Sequence, residues 1–146
     1  MIRVQEIRDV PVPTAEAFNY VADFTHIGVW DPGILSSIQQ GDEPPGLGTR
    51  YDVVATFGRS TIPLVYEITA WQPPERVTLE TSSKRFDGVD TIKFTSLGAG
   101  LTRVDYVAEF ELKGIMRFSG CLVKPMFVRL ARKALDGLVD AIGTSR

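Results

Sequence analysis

Three tyrosines, one aspartate and the single histidine are the side chains through which this chain could do chemistry. Tyr51, Tyr66 and Tyr106 fall on the inward parity of predicted strands. A phenol there donates a hydrogen bond to a ligand carbonyl or stabilises an enolate, or else simply packs its ring and keeps its hydroxyl at a wet edge. Asp90 shares the parity of Ile92 and Phe94, which aims a carboxylate inward. In an apolar pocket its pKa would rise and it could act as a general base. The other reading makes it a solvated hairpin end, because it follows closely on Asp87-Gly88, a turn signal. His26 cannot alone build a histidine metal site or a Ser-His-Asp triad. It sits at either a cavity mouth or an exposed helix end. The candidate catalytic set is therefore Tyr66, Asp90 and His26, with no metal and no cofactor implied.

The elements that must position these groups form a simple series. Ile2–Val12 reads as a strand, with Ile7 out of step with Ile2 and Val4, which predicts a bulge. Pro11-Val12-Pro13-Thr14 stops it, and Thr14 as N-cap predicts a helix over 15–23, carrying Phe18, Val21 and Ala22. A second short helix over 26–30 is capped by Thr25 and stopped by Asp31-Pro32-Gly33. Strands are predicted over 34–40, 49–57, 61–71, 76–83, 89–96 and 101–112, with short turns that make neighbours antiparallel. Gly46-Leu47-Gly48 enters a strand instead of a helix, so it reads as a turn and not a phosphate loop. Pro63 removes a ladder donor and predicts an edge or bulge.

One parity of the strands is apolar and the other charged, so one face is covered and one is wet. The inward set includes Leu64 and Ala70, and its candidate ligand contacts are Tyr51, Val53, Phe57, Tyr66, Ile68, Leu79, Ile92, Phe94, Tyr106 and Phe110. The covering element is a helical stretch over 115–142, with Val123, Phe127, Leu130, Ala134, Leu138 and Ala141 on one stripe and Arg129, Arg132, Asp136 and Asp140 opposite. Phe127, Leu130 and Ala134 join the candidate contacts. Pro125 predicts a kink or a late helix start. The small residues Ala131, Ala134 and Gly137 either open a cavity or permit close packing. A curved sheet gripping one long helix leaves a space suited to a small apolar molecule.

Composition narrows the class. The chain has 146 residues, 44% hydrophobic and 23% charged, which suits one soluble domain. Its 16 basic and 18 acidic residues give a net charge of -2, the wrong sign for binding nucleic acid through phosphates. No apolar run reaches membrane-spanning length, so no stable membrane insertion is expected. Residues 1–12 lack the apolar core of a signal peptide, which predicts a cytoplasmic location. Cys121 is the only cysteine, expected as a small buried hydrophobe. Lys124, Arg129, Arg132 and Lys133 form either a solvated helix face or a weak patch for an anionic head group or membrane surface. Composition leaves a homodimer open.

Several segments carry a family resemblance. Val10-Pro11-Val12-Pro13-Thr14-Ala15-Glu16-Ala17-Phe18, Trp30-Asp31-Pro32, Gly46-Leu47-Gly48-Thr49 and the run from Tyr66 to Arg76 through Pro73-Pro74 resemble the polyketide cyclase/dehydrase family of the START-like (SRPBCC) superfamily. The resemblance spans nearly the whole chain. It implies an α+β helix-grip fold: a curved seven-stranded antiparallel sheet wrapped around a long C-terminal helix, with two short helices after the first strand. It also implies a cavity ligand such as a lipid, polyketide or aromatic metabolite. Cofactor-free cyclisation or dehydration would use a cavity tyrosine as electrophile and Asp90 or His26 as proton acceptor. Lipid carriers, hydroxylase domains and co-chaperones share the superfamily, so the alternative implied is a partner-binding module without catalysis.

Overall fold

A computed structural model describes residues 1–118 and 120–144, and the expectation for the Cys121 side chain lies outside what it describes. The chain runs β1 (Ile2–Val10), α1 (Thr14–Ala22), a 3-10 turn (Phe24–His26), α2 (Ile27–Trp30), β2 (Ile34–Gln39), β3 (Arg50–Phe57), β4 (Ser60–Gln72), β5 (Arg76–Ser82), β6 (Phe86–Gly98), β7 (Leu101–Leu112), a second 3-10 turn (Gly114–Phe118) and α3 (Gly120–Thr144). The strands form one antiparallel sheet in the order β1-β7-β6-β5-β4-β3-β2. Only β1 leaves sequence order, pairing with β7 at one edge while α1 and α2 carry the chain to β2 at the other. This is the helix-grip architecture expected. No described helix is long and apolar enough to cross a membrane.

The local boundaries show which signals won. β1 pairs with β7 from Ile2↔Phe110 to Val10↔Thr102 without a shift, so the predicted bulge is absent. Ile7 instead points out, 47% exposed, and the inward parity passes to Glu6 and Arg8. Those charges are tolerated because Arg8 binds Glu6 at 3.0 Å and Asp136 of α3 at 3.0 Å. Thr14 does not cap α1: the cap position is Pro13, and the Thr14 hydroxyl lies 3.1 Å from that of Thr102 on β7. A tertiary partner has taken the group that local chemistry would use. Similarly, Asp23 and not Thr25 caps the next turn, its carboxylate accepting from the Thr25 backbone at 3.1 Å.

The largest correction concerns β6. Asp87-Gly88 is no turn; the hairpin closes earlier, where the Ser83 hydroxyl accepts from the backbone of Arg85 and Phe86. Gly88 is instead a packing glycine, since a Cβ there would lie 3.2 Å from the Thr81 methyl and 3.4 Å from the Phe110 ring. Asp90 therefore sits well inside a strand, between Leu79 of β5 and Ala108 of β7. In β4 the ladder shifts between Ile68 and Ala70, so Ala70 turns outward and Trp71 joins the core instead. Pro63 lies where β4 runs past β5, flanked in the ladder only by Val54 of β3, and is thus at a local edge.

α3 starts at Gly120, after the 3-10 turn, so the single helix predicted from residue 115 is two elements. This late start puts Pro125 in the second turn, where its missing donor and ring clash fall near the helix end. The buried stripe is Ala134, Leu135, Leu138 and Ile142, while Val123 and Ala141 are only half-buried. Each large member contributes roughly 1.5 to 3 kcal/mol. Gly137 allows close approach: a Cβ there would collide with the Trp30 carbonyl oxygen, so α3 and the end of α2 touch backbone to backbone.

Candidate functional site

α1 and α3 divide the concave face of the sheet between them. Phe18 of α1 meets Trp71 at 5.0 Å and Phe94 at 5.3 Å, edge to face, and fills one part of the trough. Under α3 the trough stays open. A cavity of about 130 Å³ lies there, roofed by Phe127, Leu130, Ala131, Ala134 and Leu135 and floored by inward strand residues. That is roughly ten times the space one water needs. Ala131 and Ala134 thus open the space, while Gly137, one turn on, serves close packing.

One end of the cavity is aromatic. Phe127 stacks on Phe110 at 4.8 Å and meets Phe57 at 6.3 Å, and Phe110 in turn abuts Phe86 at 5.7 Å. A few polar groups also reach the wall: Asp90, Tyr106, Tyr66 and Trp30, all buried, and Asp31, half-buried. The Tyr106 hydroxyl donates to Asp90 Oδ2, whereas Asp90 Oδ1 has no partner among the described residues, in a side chain only 5% exposed. Burial, above all, raises the Asp90 pKa to about 7; the Asp31 charge adds to this and the Tyr106 hydrogen bond opposes it. Asp31 is itself raised to about 6 by burial, although the Gly33 amide donates to its Oδ1 at 2.8 Å. The Tyr66 and Tyr106 phenols are held well above their usual range, first by burial and then by the Asp90 charge. The indole Nε1 of Trp30 also lacks an acceptor among the described residues, in a side chain 2% exposed. Two carboxyls near neutrality beside two phenols can pass a proton to or from a bound molecule.

The candidate residues separate by position along their strands. Phe57, Tyr66, Tyr106, Phe110, Phe127, Leu130, Ala134 and Asp90 border the cavity. Tyr51, Val53, Ile68, Leu79, Ile92 and Phe94 have the same parity but lie within packed core away from the opening. Parity selects a face; it does not say which stretch of that face a helix leaves uncovered. Tyr51 is fully buried, its phenol pushed up to about 12 by burial and the Asp23 charge. His26 is outside the cavity, stacked on Tyr20 at 4.4 Å with Nδ1 2.7 Å from the Tyr20 carbonyl oxygen.

Sequence reasoning missed Asp31, read as a helix stop, and Trp30, placed at the end of that helix; Asp31 does end α2, Trp30 is buried in the core, and both also line the cavity. It missed Phe86 because Asp87-Gly88 looked like a turn, and Val4 and Glu6 because β1 seemed to bulge. Ala108 was accessible, being on the parity of Tyr106. Among the described residues no cluster of three or more His, Cys, Asp or Glu is placed to hold a metal ion.

The sequence pattern of a family described as polyketide cyclase / dehydrase and lipid transport matches residues 1–143. No curated protein matches the chain. Among solved structures, a protein from Thermus thermophilus is similar at 20% identity and a TM-score of 0.83, over 98% of both chains. A START superfamily protein from Mycobacterium smegmatis is similar at 13% identity and 0.82, over 100% of both chains. A Streptomyces aromatase/cyclase is similar at 10% identity and 0.77, over 97% of this chain and 93% of its own. At these identities the structural likeness speaks for the fold alone.

Proposed function

We propose that this chain, which belongs to the polyketide cyclase / dehydrase and lipid transport family, holds a small, largely apolar molecule between its sheet and α3 in the cytoplasm. The observation that carries this reading is the cavity itself: apolar walls with a few buried polar groups, the usual make-up of a small-molecule site. A lipid, a polyketide or an aromatic metabolite fits that chemistry. The partner-binding alternative would want an apolar outer sheet face. That face carries the ion pairs Arg103–Asp9, Arg50–Glu67 and Lys113–Asp87, which separate its exposed aliphatics Ile7, Ile38 and Val65.

Proton transfer without a cofactor is consistent with the polar groups. An ionised Asp90 takes a proton from carbon next to a ligand carbonyl while the Tyr66 hydroxyl stabilises the enolate oxygen. The protonated carboxyl then returns that proton to a departing hydroxyl, which leaves as water. A pKa of about 7 equips Asp90 for both halves. His26, outside the cavity, has no part in this step.

Thermal unfolding in the presence of sterols, fatty alcohols and aromatic ketones tests the binding. A compound at about a hundred times its Kd adds roughly 2.7 kcal/mol of stability. Absence of any shift across the panel overturns the reading. Native mass spectrometry of freshly purified protein gives a second route, since a retained molecule reports its own mass.

A further inference from the structure

The cavity's charge is one-sided. Glu6, Asp31 and Asp90 border it, and among the described residues no lysine, arginine or histidine does. Glu6 is paired with Arg8, which it shares with Asp136. Asp31 and Asp90 face no such cation among the described residues: Asp31 has the Gly33 amide and Asp90 has the Tyr106 hydroxyl, both neutral donors. Asp90 Oδ1 is covered within the wall and has no partner among the described residues, and a buried acceptor without a donor is costly. The Asp31 charge raises the cost of ionising Asp90 further. A third anion would worsen that repulsion in a poorly screened interior, whereas a cation relieves it.

We propose that the cavity selects a small apolar amine, its ammonium drawn to the Asp90 and Asp31 carboxyls in the wall, and rejects the carboxylate of the same skeleton. This rests on the reading that the cavity holds a ligand, and it narrows that ligand's head group. Free fatty acids and polyketide carboxylates are then poor occupants.

Titration calorimetry near neutral pH with naphthylmethylamine, naphthylmethanol, naphthoate and naphthalene separates the possibilities. The amine binds about tenfold more tightly than the alcohol, and naphthoate more weakly than either. In Asp90→Asn the amine's advantage over the alcohol shrinks to about twofold, while naphthalene binds as before. Should that variant fail to fold, Asp31→Asn lowers the same advantage by about threefold. Naphthoate binding as tightly as the amine, or an amine preference untouched by either substitution, overturns the inference and leaves cavity binding intact. No binding by any of the four, naphthalene included, overturns both.

Discussion

Tyr106 donates its hydroxyl to Asp90 Oδ2 from the neighbouring strand, where it stands diagonally across the ladder: Asp90 pairs with Ala108, and Tyr106 with Ile92. Both side chains point into the trough, and the small Ala108 directly opposite Asp90 leaves the phenol room to reach across. This bond is the one donor contact that the described side chains give a carboxyl buried between apolar neighbours.

Tyr106→Phe removes that donor and nothing else of size. It lowers stability by about 1 to 3 kcal/mol at alkaline pH, where Asp90 is ionised, and by less in acid. Urea denaturation on both sides of neutrality measures it. Equal losses at the two pH values would remove the Asp90 charge from the account.

Asp90 also sets a pH dependence. Its pKa is about 7 when folded against 3.8 for a solvated carboxyl, so between roughly pH 4 and pH 7 the folded state holds more protons than the unfolded. Stability from this group is fully present below about pH 4 and is lost as pH rises through 7. Asp31 contributes in the same sense up to its pKa of about 6. Exposed Asp9 and Asp87, lowered by hydrogen bonds from Arg103 and Lys113 respectively, act in the opposite sense. The difference between native protein and Asp90→Asn isolates the buried group: the variant gains relative stability as pH rises, by up to a few kcal/mol. A difference that stays flat from acid to alkaline pH contradicts the assignment.

Gly137→Ala and Gly143→Ala should move melting temperature in opposite directions. The first drives a methyl into the Trp30 carbonyl oxygen, where backbone must yield, and costs about 1 to 3 kcal/mol or more. The second meets nothing within 4 Å and, lying one residue from the end of α3, gains no more than about 0.5 kcal/mol from helix propensity. Calorimetric melts of both variants decide.

Ala131→Leu puts bulk into the open space under α3. The protein folds with an unchanged or higher melting temperature, and the ligand-induced rise disappears. A retained rise would place the ligand elsewhere.

His26→Ala and Tyr66→Phe distinguish the catalytic candidates. Loss of the imidazole, which packs on Tyr20 outside the cavity, leaves ligand affinity and any turnover unchanged. Loss of the Tyr66 hydroxyl, at the cavity wall beside Asp90, lowers turnover of a carbonyl substrate by about a hundredfold. Comparable rates for Tyr66→Phe and native protein would clear Tyr66 of any role in the step.

Alternation made the strands legible. Tyr51, Val53, Tyr66, Ile92 and Tyr106 are each buried on the face their parity assigned. Local chemistry was a poorer guide wherever a distant residue competed for the same group. Thr14 looked like a cap and bonds Thr102; Gly88 looked like a turn and lies under Phe110; Ile7 looked like a bulge and points to solvent. Asp31 carried no periodic signal at all, because it follows α2 and reaches the cavity only once β2 and α3 close around it.

By itself, then, the sequence determined the order of elements, the covered face of the sheet and the apolar stripe that brings α3 onto it, since these follow from periods set by backbone geometry. Tertiary structure decided how that face is shared out. α1 fills one part through Phe18, while the alanines at 131 and 134 leave another part hollow. It also decided that Asp90 is buried with its Oδ1 unpartnered among the described residues, because desolvation depends on what every neighbouring element covers, and no single strand encodes that.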